Sequence, residues 1–312
     1  MAASPPNEAP RIIHTMSAAP PVPSVAYTIP APGVARLVLN RPDKANAQNT
    51  QMTFDLNGAL MRASHQDDIK VIILGGAGKH FCSGHDLRDR GHEEVVRANP
   101  PMGVQGGIDT ATVAGYYAWE REVYLDSCRR WRAIPKPVIA EVHGACMGGG
   151  LMLAWVADII IAAKDTVFCD PVLNFGSNGV EYFVHAWELG ARRAKELLFT
   201  ADSWTAAQAQ QWGMVNHVVP GEELEAFTLA LAERIAAKPA FALHMAKQSV
   251  NASLDAQGQP AAVDSAFLYH QLCHAHCRVE FGGVIDPSGL PASLRAPGAL
   301  SPLITGQPAP DA

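Results

Sequence analysis

The residues of this 312-residue chain that could do chemistry are its glycine turns, its histidines and a few scattered acids. Two stretches, VIILGGAGKHFCSGHDL (71–87) and VIAEVHGACMGGGLML (138–153), share one grammar: an apolar strand, a glycine turn, then small residues. Glycine lets a ligand approach the main chain closely. A turn that opens a helix also leaves N–H groups unpaired, with the positive end of the helix dipole behind them. Such a place suits an anion, bound or developing. Two nucleotide readings fail: GGAGKH has His80 where magnesium would need Ser or Thr, and GACMGGG lacks G-x-G-x-x-G, with Asp158 too early for a ribose-binding acid.

Proton transfer beside such a turn needs a positioned carboxylate or imidazole. His143 reads as a hydrogen-bonded core histidine. In TATVAGYYAWEREVYLDSCRRWRAIP (110–135), Tyr116, Tyr117, Trp119 and Tyr124 would make an aromatic face, while Glu120, Glu122 and Asp126 read as the solvated acidic side of an amphipathic helix. In HQLCHAHC (270–277), His270, Cys273, His274 and Cys277 have helical spacing. Zinc sites draw ligands from more than one element, so this segment reads as an interface helix and no metal is expected.

The elements that must carry these residues follow from hydrophobic patterning. VAYTI, VARLVLN, VIILGG, PVIAEV and DIIIAA alternate with helical segments through about residue 200, which indicates an α/β body over residues 24–204. Residues 205–286 read as helical almost throughout, and the Pro- and Ala-rich ends, 1–23 and 287–312, read as disordered tails. A net charge of −6 argues against nucleic-acid binding. The run LMLAWVADIIIAA is short and broken by Asp158, against the roughly 20 residues a bilayer needs. With no leader pattern, a cytoplasmic location without a membrane partner is expected, and the six cysteines read as reduced core thiols.

Together RPDKANAQN (41–49), HFCSGHDL (80–87), GACMGGG (144–150), ADIIIAA (157–163), GARRAKELLFTAD (190–202) and WGMVNHVV (212–219) resemble the crotonase, or enoyl-CoA hydratase/isomerase, superfamily over roughly residues 24–255. The resemblance implies a ClpP/crotonase-type β-β-α spiral core followed by a helical section that builds a homotrimer or a dimer of trimers. It implies an acyl-CoA thioester as partner and an enolate as intermediate, with no permanently bound cofactor and coenzyme A present only as part of the substrate. The oxyanion donors would be the amides of His85 and Gly149, and Lys44, Ala45, His85, Asp86, Leu87, Arg88 and Gly149 would border the CoA.

Two departures matter. Where a hydratase of this family carries its two glutamates, this chain has Met152 and Val172, which cannot move a proton. Glu181, in NGVEYFVHAWELG, lies in the segment that faces the acyl group in related enzymes and is the first candidate acid/base; Asp170, before Pro171, is the second. Their plainer readings are a first-turn helix acid for Glu181 and a turn-forming or capping acid for Asp170. The chain is thus expected to act on an acyl-CoA without the usual glutamates; the alternatives are a crotonase-fold hydrolase of a thioester or carbon–carbon bond and a noncatalytic acyl-CoA-binding protein.

Overall fold

Near-continuous aliphatic runs give strands buried on both faces, as a parallel sheet between helical layers requires. The computed structural model describes residues 23–99, 109–296 and 298–305. In it β1 (Val25–Ala31) pairs antiparallel with β2 (Val34–Leu39), and β3 (Val71–Gly76), β4 (Val138–Val142), β6 (Ile159–Ala163) and β9 (His217–Val219) follow in parallel. A second sheet holds β5 (Ala145–Met147), β7 (Val167–Cys169) and β8 (Trp204–Thr205). Single bridges, Gln48 with His85 and Cys82 with Cys146, extend this second layer. Each turn of the chain therefore gives one long strand to the main sheet and one short segment to the second layer, the β-β-α spiral expected from the sequence. Both glycine turns lie in that second layer.

Helices cover the two faces. On one side are α1 (Thr50–His65), α2 (His92–Ala98), α3 (Val113–Glu120), α4 (Ser127–Arg132) and the wholly buried α5 (Gly149–Trp155). They are followed by the shorter α6 (His185–Leu189), α7 (Ala191–Thr200) and α8 (Ala206–Trp212). On the other side α9 (Leu224–Ala236) packs Leu224, Ala232 and Ala236 on Val71, Ile73, Ile139 and Ile161. The long α10 (Ala240–Ala256) and α11 (Gln259–Phe281) come next, then α12 (Ala292–Arg295) and α13 (Pro302–Thr305). Among the described residues no helix is long and apolar enough to cross a membrane. All six cysteines are free and five are buried.

Within residues 205–286 the helices are interrupted by β9, which returns to become the sixth strand beside β6. One expectation needs correction: the described part of 287–312 is not a loose tail, because Leu290, Leu303 and Ile304 are buried, and Ser301 donates its amide to the Leu87 carbonyl at 2.8 Å. Its prolines and small residues suggested a segment with too little apolar surface to fold, but it needs only three aliphatic anchors because a groove already exists. Residues 1–22 lie outside the described residues.

Candidate active site

The glycine turn after β5 is built by backbone geometry that other residues resist. Gly148 has φ 50° and caps α5, and its amide is held by the Cys169 carbonyl at 2.9 Å. Gly149 is then the first residue of α5, and its N–H has no carbonyl one turn earlier to bind. A Cβ at Gly149 would sit 2.7 Å from His85 Cε1, so glycine is required here to admit the His85 ring.

His85 is delivered by the neighbouring segment of the second layer. Ser83 donates its amide to Ala45, Gln48 to Gly84 and Asp86 to Gln48, so residues 45–48 and 83–86 run side by side. Because this ladder uses the amides of Gln48 and Asp86, the amide of His85 points to the opposite side of the strand. The amides of His85 and Gly149 thus belong to adjacent turns of one layer. The Gln48 side-chain amide is buried beside Gly149, and neither its oxygen nor its nitrogen has a hydrogen-bond partner among the described residues.

The His85 ring stacks on Tyr124 at 3.9 Å, and its Nε2 lies 3.1 Å from Glu181 Oε2. Burial works against charging both groups. Their mutual attraction outweighs it, raising the His85 pKa and lowering that of Glu181, which favours the charged form of each. His85, Glu181, Val172, Tyr116, Trp119, Tyr124 and the late residues Leu303 and Ile304 line a cavity of about 80 Å³.

Asp170 is not in that lining. Its carboxylate accepts from the Val180 amide at 3.1 Å, the Val172 amide at 3.3 Å and His185 Nε2 at 2.7 Å, which pins the loop that carries Glu181. Met152 is buried in the core, where its sulfur accepts from the Tyr182 amide at 3.4 Å. His143 bonds the Gly78 carbonyl at 2.9 Å, away from the cavity. Asp86 lines the cavity and is ion-paired with Arg41 at 2.9 Å, while Lys44 and Arg88 are exposed on the loops beside it.

A second polar cluster adjoins Glu181, whose Oε1 lies 3.8 Å from His270 Nε2. Glu122 pairs with Arg130 and Asp126 with Arg129 on the outer side, as the sequence suggests. Glu120 does not follow them. It is buried, with its carboxylate oxygens 3.3 Å from His274 Nε2 and 3.6 Å from His270 Nε2. Burial opposes its ionisation, but His274 and His270 hold its pKa down at about 2.

A model of the enoyl-CoA hydratase/isomerase family matches residues 31–282. The chain belongs to the enoyl-CoA hydratase/isomerase family. A Mycobacterium tuberculosis protein named "Putative enoyl-CoA hydratase EchA13" is 39% identical over 282 residues, 88% of this chain and 89% of that one. The 1,2-epoxyphenylacetyl-CoA isomerase of Escherichia coli K12 is 34% identical over 226 residues, 71% of this chain and 79% of that one. The crystal structure of a "probable ENOYL-COA Hydratase" from Mycobacterium smegmatis is 43% identical and superposes with a TM-score of 0.76, covering 84% of this chain and 99% of that chain. Membership accounts for the crotonase fold and for the glycine turns. It leaves the reaction to the side chains, because one fold hosts many chemistries.

Sequence reasoning missed Gln48 and the inward turn of Glu120. Gln48 stands inside the KANAQN motif, where its place next to a second-layer strand could have flagged it. The signal for Glu120 is its helical spacing, four residues from both Tyr116 and Tyr124, which sets it on the opposite side from Glu122.

Proposed function

We propose that this family member binds an acyl-CoA thioester with its carbonyl oxygen at the amides of His85 and Gly149, and moves a carbon–carbon double bond by proton transfer through Glu181. The observation that carries this reading is the Glu181 carboxylate, which faces the cavity and touches the imidazole of the residue whose amide would receive the oxyanion. An isomerisation takes a proton from one carbon and returns it to another, so one carboxylate can do both steps. The usual hydration needs two acids around one water, and Met152 and Val172 stand in their places.

In this mechanism the thioester is polarised by the two amides, and Glu181 removes a proton to give the enolate. The negative charge develops on the oxygen at the head of α5, where the first-turn N–H groups and the dipole stabilise it. His85 holds Glu181 in place while its carboxyl group carries the proton, and Glu181 then returns it at the other end of the allylic system. Tyr116, Trp119 and Tyr124 exclude water from the acyl chain. Lys44 and Arg88 are assigned to the CoA phosphates, where cations give charge-assisted contacts.

The test is to incubate purified protein with 2-enoyl- and 3-enoyl-CoA thioesters of several lengths in D₂O and to analyse the products by mass spectrometry. Double-bond migration is expected, with turnover reduced about 10²–10⁴-fold in Glu181→Gln. Release of free CoA or a cleaved carbon skeleton would point to a hydrolase instead, and tight binding without turnover to a binding protein. Water addition that survives Glu181→Gln would also sink the proposal.

A further inference from the structure

The Glu120, His270 and His274 cluster, which adjoins Glu181 through His270 Nε2 at 3.8 Å, has a geometry that the proton-transfer reading does not use. His270 and His274 stand one turn apart on α11, and Glu120 ends α3. All three are buried, and one candidate ligand atom from each lies within 4.8 Å of the others. The two Nε2 atoms are 2.8 Å apart, with Glu120 Oε1 3.3 Å from that of His274 and Oε2 3.6 Å from that of His270. Two ligand atoms each about 2.0–2.1 Å from one ion, at angles between square and tetrahedral, would be roughly 2.9–3.4 Å apart. The observed spacings are close to that range.

The outer contacts decide which atoms are available. His270 Nδ1 lies 2.8 Å from the Gly179 carbonyl and 2.8 Å from Ser177 Oγ, and His274 Nδ1 lies 2.5 Å from the Val284 carbonyl. A carbonyl can only accept, so each ring carries a proton on Nδ1 and turns its Nε2 inward. Facing each other at hydrogen-bond distance, the two Nε2 atoms need either a shared proton or a metal cation between them. Glu120 is oriented in the same way: Gln271 Nε2 donates to its Oε2 at 2.5 Å. Outer partners of this kind, carbonyls on the histidines and a donor on the carboxylate, are what hold metal ligands in place.

We propose that Glu120, His270 and His274 form a three-ligand site for a divalent first-row cation, zinc(II) foremost, with the fourth position open to the cavity. Two imidazoles and a carboxylate suit zinc, and three protein ligands with one position left open is the arrangement of reactive zinc sites rather than structural ones. The requirement that made HQLCHAHC an unconvincing metal motif by itself is met, because Glu120 supplies the ligand from a second element. Cys273 and Cys277 take no part; Cys277 is packed near Gly176.

The test uses full-length protein with any histidine tag removed, stripped with a chelator and dialysed. Zinc chloride is titrated in by calorimetry, and cobalt chloride by visible spectroscopy. One equivalent of zinc per chain with a micromolar or tighter Kd is expected, together with the d–d bands of four- or five-coordinate cobalt. Glu120→Gln and His274→Ala should each weaken zinc binding by at least about 100-fold, since loss of an outer partner alone costs 10–100-fold. Circular dichroism checks that the variants fold, and the near-isosteric Glu120→Gln carries the test if His274→Ala does not. A folded wild type that binds neither ion at micromolar concentration overturns the proposal, leaving a shared proton between the rings. Equal affinity in wild type and Glu120→Gln overturns it too, by placing the bound ion elsewhere. Neither readout depends on turnover, so the result is separate from the fate of Glu181.

Discussion

Gly149 and His85 are fitted to each other, and that fit can be measured. In Gly149→Ala the new Cβ would meet the imidazole at under 3 Å on both Cε1 and Nδ1. Overpacking of this kind costs about 1–3 kcal/mol. Urea denaturation should show that loss in Gly149→Ala, and a double-mutant cycle with His85→Ala, which by itself also unpairs Glu181, should give a coupling of similar size; a coupling below about 0.5 kcal/mol would mean the clash is relieved some other way. A different side chain sets a pH response. Glu188 borders a cavity of about 500 Å³ beneath α10, where Lys247 is paired with Asp158 at 2.9 Å and Arg132 with Asp255 at 3.0 Å. Glu188 is only half-buried by surface area, but desolvation beside this cavity pushes its pKa from 4.5 up to about 7. The folded state therefore holds this proton more tightly than the unfolded chain does. The stability this contributes is complete below pH 4.5 and is lost as pH rises through about 7. Glu188→Gln should leave Tm nearly unchanged at pH 5 and raise it by roughly 2 °C or more at pH 8.5; an equal shift at both values would rule out this acid as its cause.

The inward turn of Glu120 is explained by the helix that carries it. A π-helical turn, Arg121–Asp126, joins α3 to α4. In an α-helix four residues overshoot a full turn by about 40°, and the wider π turn takes roughly the same amount back. Tyr116, Glu120 and Tyr124 are consequently all buried on the cavity side. Glu120 and Glu122 stand about 200° apart on a helix, so periodicity alone separates them, and placing both on one solvated face overlooks that Glu120 shares the side of Tyr116. The glycine turns were legible because their geometry is local and written in consecutive residues. The closing segment was hidden by its prolines. Residues 298–305 are held by Ser301, which bonds the carbonyls of Leu87 and Asp89, and by Leu303 and Ile304 in the cavity wall. Leu303→Ala should cost about 2–5 kcal/mol in stability if the segment is as firmly seated as its burial indicates. Hydrogen exchange should then quicken in residues 298–305 and at the Leu87–Asp89 loop together; a variant as stable as wild type would mean the segment is detached in solution.

The two faces of α11 connect the site to the assembly of the molecule. Val263, Phe267, His270, His274 and Cys277 are buried on one face, at the three- and four-residue spacing of a helix that packs inward. Leu268 (57% exposed), Leu272 (67%) and Val279 (82%) lie off that face, and Phe241 (74%) is similarly bare on α10. So much exposed aliphatic and aromatic surface on two adjacent long helices is the mark of a face that is covered by another protein surface. The family resemblance assigns that cover to further copies of the chain. Light scattering should then give three or six times the 33.3 kDa chain mass, and Leu272→Asp with Val279→Asp should give the single-chain mass; a monomeric wild type would overturn the assignment. The same variant has a second consequence. Because α11 carries His270 and His274 on its inner face, and His270 Nε2 lies 3.8 Å from Glu181 Oε1, freeing its outer face lets the helix move and loosens the wall beside Glu181. Turnover per chain should therefore fall in the monomeric variant although no residue of the cavity has changed, and it should recover as protein concentration is raised if association is only weakened. Full activity in a stable monomer would show instead that α11 is held by its own chain alone.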